Sequence, residues 1–232
     1  MKQWNEIFKE DGRVFLEPQK DMPRIAKLFK KKGIKRILDL GCGSGRHTVY
    51  LAKNGFDVYG FDIAPVGINL AKKWLKQEKL KAKFRIGSVF GKLPYKDNFF
   101  DALISTQVIN HAEISDIRKL IKERERVLKP KGLIFITVMQ KTGLKEWKQK
   151  NWKINSIREE VSLGEDGISV MKNKYKIIGP QTYVYLEGGE KGLIHYIFNK
   201  NIVRKEFKNF KIPNIWLSSS KRHNCFIAEL KK

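Results

Sequence analysis

The sequence predicts an α/β fold: a mostly parallel sheet flanked by helices. Three observations lead there. Ile37 to Leu40 is a short apolar run that breaks into Gly41, Gly43 and Gly45 and then becomes the helically spaced Thr48 to Lys53, the strand–glycine turn–helix order of a nucleotide-type cofactor site. A second β-rich run, Phe56 to Phe61, ends on Asp62, about 20 residues past the first glycine, the spacing of a ribose-binding acid. Short apolar runs and amphipathic stretches then alternate as far as Met139, as parallel strands joined by crossover helices require.

The elements follow in order. Trp4, Ile7 and Phe8 share one face of a short amphipathic helix over 4–9. Met22 to Lys32 sets Ile25, Leu28 and Phe29 on one face and stops at Gly33, a helix C-cap. After the first two strands, Pro65 opens a helix whose core stripe is Ile68, Leu70, Ala71, Trp74 and Leu75. Ala82 to Ile86 and Ala102 to Thr106 read as the third and fourth strands. An amphipathic helix runs from Ile114 to Leu128, the turn Lys129-Pro130-Lys131-Gly132 ends it, and Leu133 to Met139 is the fifth strand. Gln140 to Asn173 is polar, holds Trp147 and Trp152, and shows no strand alternation, so short helices are expected. Tyr175 to Leu186 and Gly192 to Phe198, joined by Glu187-Gly188-Gly189-Glu190, alternate as a β-hairpin.

The glycine turn discriminates between cofactors. A dinucleotide site wants G-x-G-x-x-G, because a pyrophosphate sits on the helix N-terminus. Here the third glycine comes one residue early, and Asp39 stands two residues before the first. An anion there repels a pyrophosphate but attracts an ammonium group. That favours S-adenosylmethionine (SAM), whose methionine end carries an ammonium.

Leu38-Asp39-Leu40-Gly41-Cys42-Gly43-Ser44-Gly45, Gly60-Phe61-Asp62-Ile63-Ala64-Pro65 and Arg126-Val127-Leu128-Lys129-Pro130-Lys131-Gly132 together resemble the class I SAM-dependent methyltransferases, specifically the compact, Rossmann-like group that modifies small molecules. The resemblance is continuous from Arg36 to Met139. It implies that Asp39 and the loop of Gly41, Cys42, Gly43 and Gly45 hold the methionine end. It further implies that Asp62 holds the ribose, Ile63 and Val89 flank the adenine, and Gln107 offers backbone contacts near the methyl group. The family often has an acid after the third strand to receive the adenine amino group; here Ser88 holds that place. The helix over 4–9 becomes a flap, with Trp4 or Phe8 as a wall. Asn199 to Phe210 resembles the family's last helix, and Lys211 to Ser218 with Asn224 to Leu230 its closing antiparallel strands, so the resemblance implies a sheet of seven strands, the last antiparallel, with an insertion after the fifth. Residues 1–139 and 199–232 then form the SAM-binding core, and 140–198 an acceptor-binding cap in which Tyr183, Tyr185, His195 and Tyr196 line the pocket or, alternatively, only fasten the hairpin to the sheet.

The loop Gln107 to His111 follows the fourth strand, where ligands bind in such sheets. His111 is the candidate general base or acceptor-positioning group. The loop lacks the Asn-Pro-Pro-Tyr signature of enzymes that methylate exocyclic base amines, and it has no cysteine to add to a pyrimidine. The formal charge of +24 nevertheless invites a polyanion, so an RNA methyltransferase stands beside the small-molecule reading, and a SAM- or nucleotide-binding module without turnover beside both. No apolar run reaches the ~18 residues of a membrane span, the first residues do not read as a secretory signal, and two cysteines give no disulfide framework; a cytoplasmic protein is expected. The four histidines lie far apart in the sequence, so no metal site is expected.

Overall fold

A computed structural model describes residues 2–140, 154–163 and 170–232. In chain order the elements are α1 (Lys2–Glu10), α2 (Met22–Lys31), β1 (Arg36–Leu40), α3 (Arg46–Lys53), β2 (Asp57–Asp62), α4 (Pro65–Gln77), β3 (Lys83–Ile86), β4 (Phe100–Thr106), α5 (Ile114–Val127) and β5 (Leu128–Met139). They continue as β6 (Ile157–Leu163), β7 (Val170–Gly179), β8 (Thr182–Tyr185), β9 (Ile194–Tyr196), α6 (Lys200–Glu206), β10 (Phe210–Leu217) and β11 (His223–Leu230). The main sheet has seven strands in the order β10-β11-β5-β4-β1-β2-β3. β1 pairs in parallel with β2 and β4, β2 with β3, and β4 with β5, whereas β11 runs antiparallel to both β5 and β10. This is the predicted seven-stranded, Rossmann-like sheet with an antiparallel last strand.

The period-2 alternation of the strands sorts the core into two layers. Ile37, Ala102, Ile104, Leu133 and Phe135 face the layer supplied by α2, α3 and α4, including Ile25, Phe29, Val49 and Leu75. Leu38, Leu103, Ile134 and Ile136 face the opposite layer, where α5 and α6 contribute Ile117, Leu120, Ile121 and Val203. Helix α2 ends as its sequence dictates: Gly33 takes φ +67°, and the Ile34 N–H donates to the Phe29 carbonyl at 3.0 Å, closing a Schellman turn. The strand order reverses between β1 and β4, so a crevice opens over their C-terminal ends.

Three expectations are corrected. The stretch 140–173 is not free of strands: β6 and β7 pair antiparallel, from Ile157 opposite Lys176 to Leu163 opposite Val170. Backbone pairing does not require the side-chain alternation that the polar sequence lacks. Trp147 and Trp152 lie outside the described residues. The single strand expected from Tyr175 to Leu186 is two, β7 and β8, because Pro180 and Gln181 turn the chain, with Gln181 at φ +58°. The result is a four-stranded second sheet, β6-β7-β8-β9. Finally, α5 ends at Val127, just before Lys129 to Gly132 as expected, but those residues are not a free turn: they begin β5, with Phe100 paired to Leu128 and a register shift before Ala102 pairs with Leu133.

The second sheet has its own core of Tyr175, Ile177, Tyr183 and Ile197, against which Met139 packs. Two backbone bonds tie its trailing edge to the main sheet: Tyr196 N–H to the Asn110 carbonyl at 2.7 Å, and Phe198 N–H to the Met139 carbonyl at 2.9 Å. Among the described residues no helix is long and apolar enough to cross a membrane.

Candidate active site

The glycine turn is shaped by its neighbours. The Gly41 and Cys42 N–H groups both donate to the Phe61 carbonyl, at 2.7 and 3.2 Å, and Gly45 N–H closes the turn onto the Cys42 carbonyl at 2.9 Å. Gly45 has φ +96°, and a Cβ there would stand 2.7 Å from the Ala71 Cβ of α4. Both the left-handed conformation and the approach of α4 therefore call for glycine.

Two carboxylates lie beneath this turn. Asp39 is fully buried and accepts from the Thr48 hydroxyl at 2.7 Å. Burial, aided by the nearby Asp62 charge, pushes its pKa up to about 7. Asp62 terminates β2; its Oδ2 accepts from Gly43 N–H at 2.7 Å and its Oδ1 from Ala64 N–H at 2.9 Å. Burial raises its pKa as well, against the pull of those backbone donors. Asp62 thus braces the glycine turn and still faces the crevice.

One cavity of about 790 Å³ extends from the glycine turn to the second sheet, within the range of ligand pockets. Gly41, Cys42, Gly43, Gly45, Asp62, Ile63 and Val89 line its cofactor end, with Phe90 beside them. Gln107 and His111 line its middle, and Tyr183, Tyr185, Glu190 and Leu193 its far end. Gln107 sits at φ +60°; its N–H donates to Thr137 Oγ1 at 2.9 Å, and its Oε1 accepts from Arg46 at 3.4 Å. His111 is pushed down to about 4 by burial, opposed by the Gln107 and Ile194 backbone. It is a neutral imidazole at pH 7.

Helix α1 roofs the cavity. Phe8 rests on α4 at Gly67, where a Cβ would come within 2.9 Å of its ring. Asn5 Oδ1 accepts from Val66 N–H at the start of α4, at 3.0 Å, and the Gln3 side-chain amide donates to the Lys191 carbonyl of the β8–β9 turn. Trp4 meets His111 edge-on, with ring centroids 5.8 Å apart. The roof is therefore fastened to both ends of the cavity.

Of the sequence-derived site residues, four stand outside the lining. Asp39 is buried under the turn, and Ser88 Oγ accepts from the nearby Phe90 N–H at 3.3 Å. Tyr196 packs on Phe198 in the main core, centroids 5.0 Å apart. His195 is wholly buried behind the wall, stacked on Tyr183 at 5.0 Å and edge-on to His111 at 4.8 Å. Sequence reasoning missed Arg46, Phe90, Asn110, Glu190 and Arg222, all of which line the cavity. Arg46 was within reach of it, since it directly follows the glycine turn; Glu190 and Arg222 become neighbours only through tertiary folding. Two of the histidines that lie far apart in the sequence meet in the fold: His111 and His195 are in contact, with Glu190 beside them.

A glycine turn after β1, an acid closing β2 and a cavity over the strand-order reversal define a Rossmann-like protein built for an adenosine-type cofactor. Residues 38–136, somewhat less than half of the chain, match the family described as "Methyltransferase domain". A ubiquinone biosynthesis O-methyltransferase of Pelagibacter ubique is 32% identical over 111 residues, covering 48% of this chain and 44% of that one. The match thus spans less than half the length of this curated relative. Among solved structures, the PH0226 protein of Pyrococcus horikoshii superposes with a TM-score of 0.66 at 23% identity, over 97% of this chain and 100% of that one. A Burkholderia thailandensis 1,6-didemethyltoxoflavin-N1-methyltransferase, solved with bound 1,6-didemethyltoxoflavin and S-adenosylhomocysteine (SAH), does so at 0.63 and 15%, over 100% and 88%. At these identities the structures speak for the fold.

Proposed function

We propose that this protein transfers the methyl group of SAM to a small-molecule oxygen or nitrogen nucleophile, releasing SAH. The observation that carries the reading is the roofed cavity, with a cofactor end built from the β1 and β2 termini and a far end built from the second sheet. The cofactor end fits SAM: Asp62 turns a carboxylate toward the ribose position, Ile63, Val89 and Phe90 offer apolar faces for the adenine, and Arg46 supplies a cation for the methionine carboxylate. Asp39 acts from beneath the turn, by its charge and through Thr48.

When bound, SAM supplies a methyl group already activated as a sulfonium. The chain's own contribution is orientation and exclusion of water, and holding reactants in line can supply roughly 7–11 kcal/mol of a barrier. Trp4, Phe8 and the β8–β9 turn close the cavity, while His111 lines its middle as the acceptor-positioning group. In this reading residues 140–198 form the acceptor cap of a core made by 1–139 and 199–232.

The +24 charge motivates RNA as a second acceptor class. Two features weigh against it. Exposed lysines stand on every described helix, for example Lys9, Lys27, Lys53, Lys72, Lys119 and Lys205, rather than forming one track. Inside the cavity Asp11, Asp62, Glu187 and Glu190 outnumber Arg46 and Arg222, a poor lining for a phosphodiester. Calorimetric titration with SAM, SAH and NAD tests the core of the proposal. Saturable SAM and SAH binding without NAD binding is expected, and the reverse pattern overturns it.

A further inference from the structure

His111, Glu190 and His195 come from three separate segments: the loop after β4, the β8–β9 turn and β9. Their candidate ligand atoms all lie within 4.8 Å of one another. We propose that they form a binding site for a divalent first-row transition metal, of the zinc class, at the acceptor end of the cavity.

The spacing favours a metal over a simple ion pair. His195 Nε2 and Glu190 Oε2 are 3.4 Å apart, longer than the ~2.7–2.9 Å of a charge-assisted hydrogen bond. Ligands held at about 2.0–2.1 Å in a tetrahedron stand roughly 3.3–3.4 Å from each other. The two imidazoles cross at 77° with centroids 4.8 Å apart, so they splay as two ligands of one ion do. The candidate ligand atoms, within 4.8 Å of one another, reach that spacing with side-chain motion of up to about 1.5 Å.

The surroundings resemble a supported ligand shell. Tyr183 stacks on the His195 ring at 5.0 Å and Tyr185 meets it edge-on at 4.9 Å, fixing its plane. Trp4 does the same for His111 from the roof. Two imidazoles and one carboxylate suit zinc, iron or nickel rather than magnesium or calcium, which prefer all-oxygen shells. Three protein ligands leave a fourth position, and since His111 and Glu190 line the cavity, that position opens into it. An acceptor's oxygen or nitrogen would be held there. This last role rests on the methyltransferase reading, whereas metal binding itself does not.

The test uses the full chain, stripped with EDTA and titrated with Co²⁺ and then Zn²⁺, without SAM or acceptor. One equivalent of cobalt should bind, give the visible bands of a tetrahedral site, and be displaced by zinc. Glu190→Gln changes a half-exposed turn residue at constant shape, and His111→Asn keeps a polar group; each should weaken cobalt binding by about 100-fold or more, with the circular dichroism unchanged. His195 is left intact because it is fully buried. No saturable binding, or wild-type affinity in both folded variants, overturns the site. SAH affinity, measured in parallel on the metal-free protein, reports on the methyltransferase reading alone, so the two can fail separately.

Discussion

Replacing Asp62 by alanine separates two jobs that the structure assigns to one carboxylate. The side chain accepts from Gly43 N–H at 2.7 Å and Ala64 N–H at 2.9 Å, so the change leaves both donors without a charged acceptor. Hydrogen bonds to charged groups contribute about 1.5–3 kcal/mol each. Burial already penalises the ionised form, as its raised pKa records, and relief of that penalty offsets part of the loss. A net destabilisation of about 1–3 kcal/mol is expected in urea titrations. Ribose binding is the second job, and losing its charged acceptor should cost a further ~1–3 kcal/mol, or roughly 5- to 150-fold in the SAH Kd. Looser glycine-turn geometry alone could also weaken SAH, so the decisive assay is a cycle against the 2′-deoxyribose analogue of SAH. Wild type should discriminate against the analogue and Asp62→Ala should not, with a coupling above about 0.5 kcal/mol. Equal discrimination by both proteins would show that the ribose is held elsewhere, and the cofactor placement would fail with it.

Gly45→Ala, which forces a Cβ into φ +96° and to 2.7 Å from Ala71, should destabilise by about 1–3 kcal/mol; a thermal melt within a degree of wild type contradicts the close approach of α3 and α4. Asn5→Ala removes the acceptor for Val66 N–H, a cap worth about 1 kcal/mol. Stopped-flow SAH release should then be about fivefold faster, and an unchanged rate argues that α1 does not gate the cavity. Asp39→Asn gives a pH signature. The native pKa of about 7 lies above the ordinary 3.8, so the folded state holds the proton more tightly, and the contribution of Asp39 to stability declines as pH rises from about 4 to 7. Asparagine can still accept from Thr48 without that decline. Its stability relative to wild type should increase across the same window, by up to about 4 kcal/mol since each tenfold change in an acid constant is worth ~1.4 kcal/mol, and level off above it; a pH-independent difference refutes the raised pKa.

Much of the parallel sheet was legible because each strand and its following helix carry their own signals. Ile37 to Leu40 alternates between the two core layers, Pro65 opens α4, and Gly33 closes α2. Cofactor-end residues inherit that legibility, since the glycine turn and Asp62 sit at strand ends that the topology brings side by side. The second sheet was half visible. Tyr175 and Tyr183 alternate and bury together, but β6 and the first part of β7 mix charged residues such as Arg158, Glu159, Glu160 and Lys172 with apolar ones, which blurs the alternation that marks a strand. Pro180 and Gln181 are turn formers that an apolar run on both sides disguised. Lys129 to Gly132 marked the end of α5 correctly, but its proline and glycine hid that the same residues begin β5 at a register shift.

The acceptor end illustrates a more general asymmetry. Its lining is drawn from α1, the loop after β4, the β8–β9 turn and the loop before β11, at positions as distant as Trp4 and Arg222. Nothing in the local sequence of any one segment announces the others, so histidines scattered along the chain read as unrelated until the fold seats His111 against His195. The same holds for charge. Composition counts 48 basic and 24 acidic side chains, but exposed lysines stand on every described helix, while four carboxylates line one cavity. Counterion-rich water screens the former beyond about 10 Å; a roofed cavity is drier, and its charges act at fuller strength. Discrimination against a polyanion should therefore follow the acids of the cavity rather than the sum over the chain.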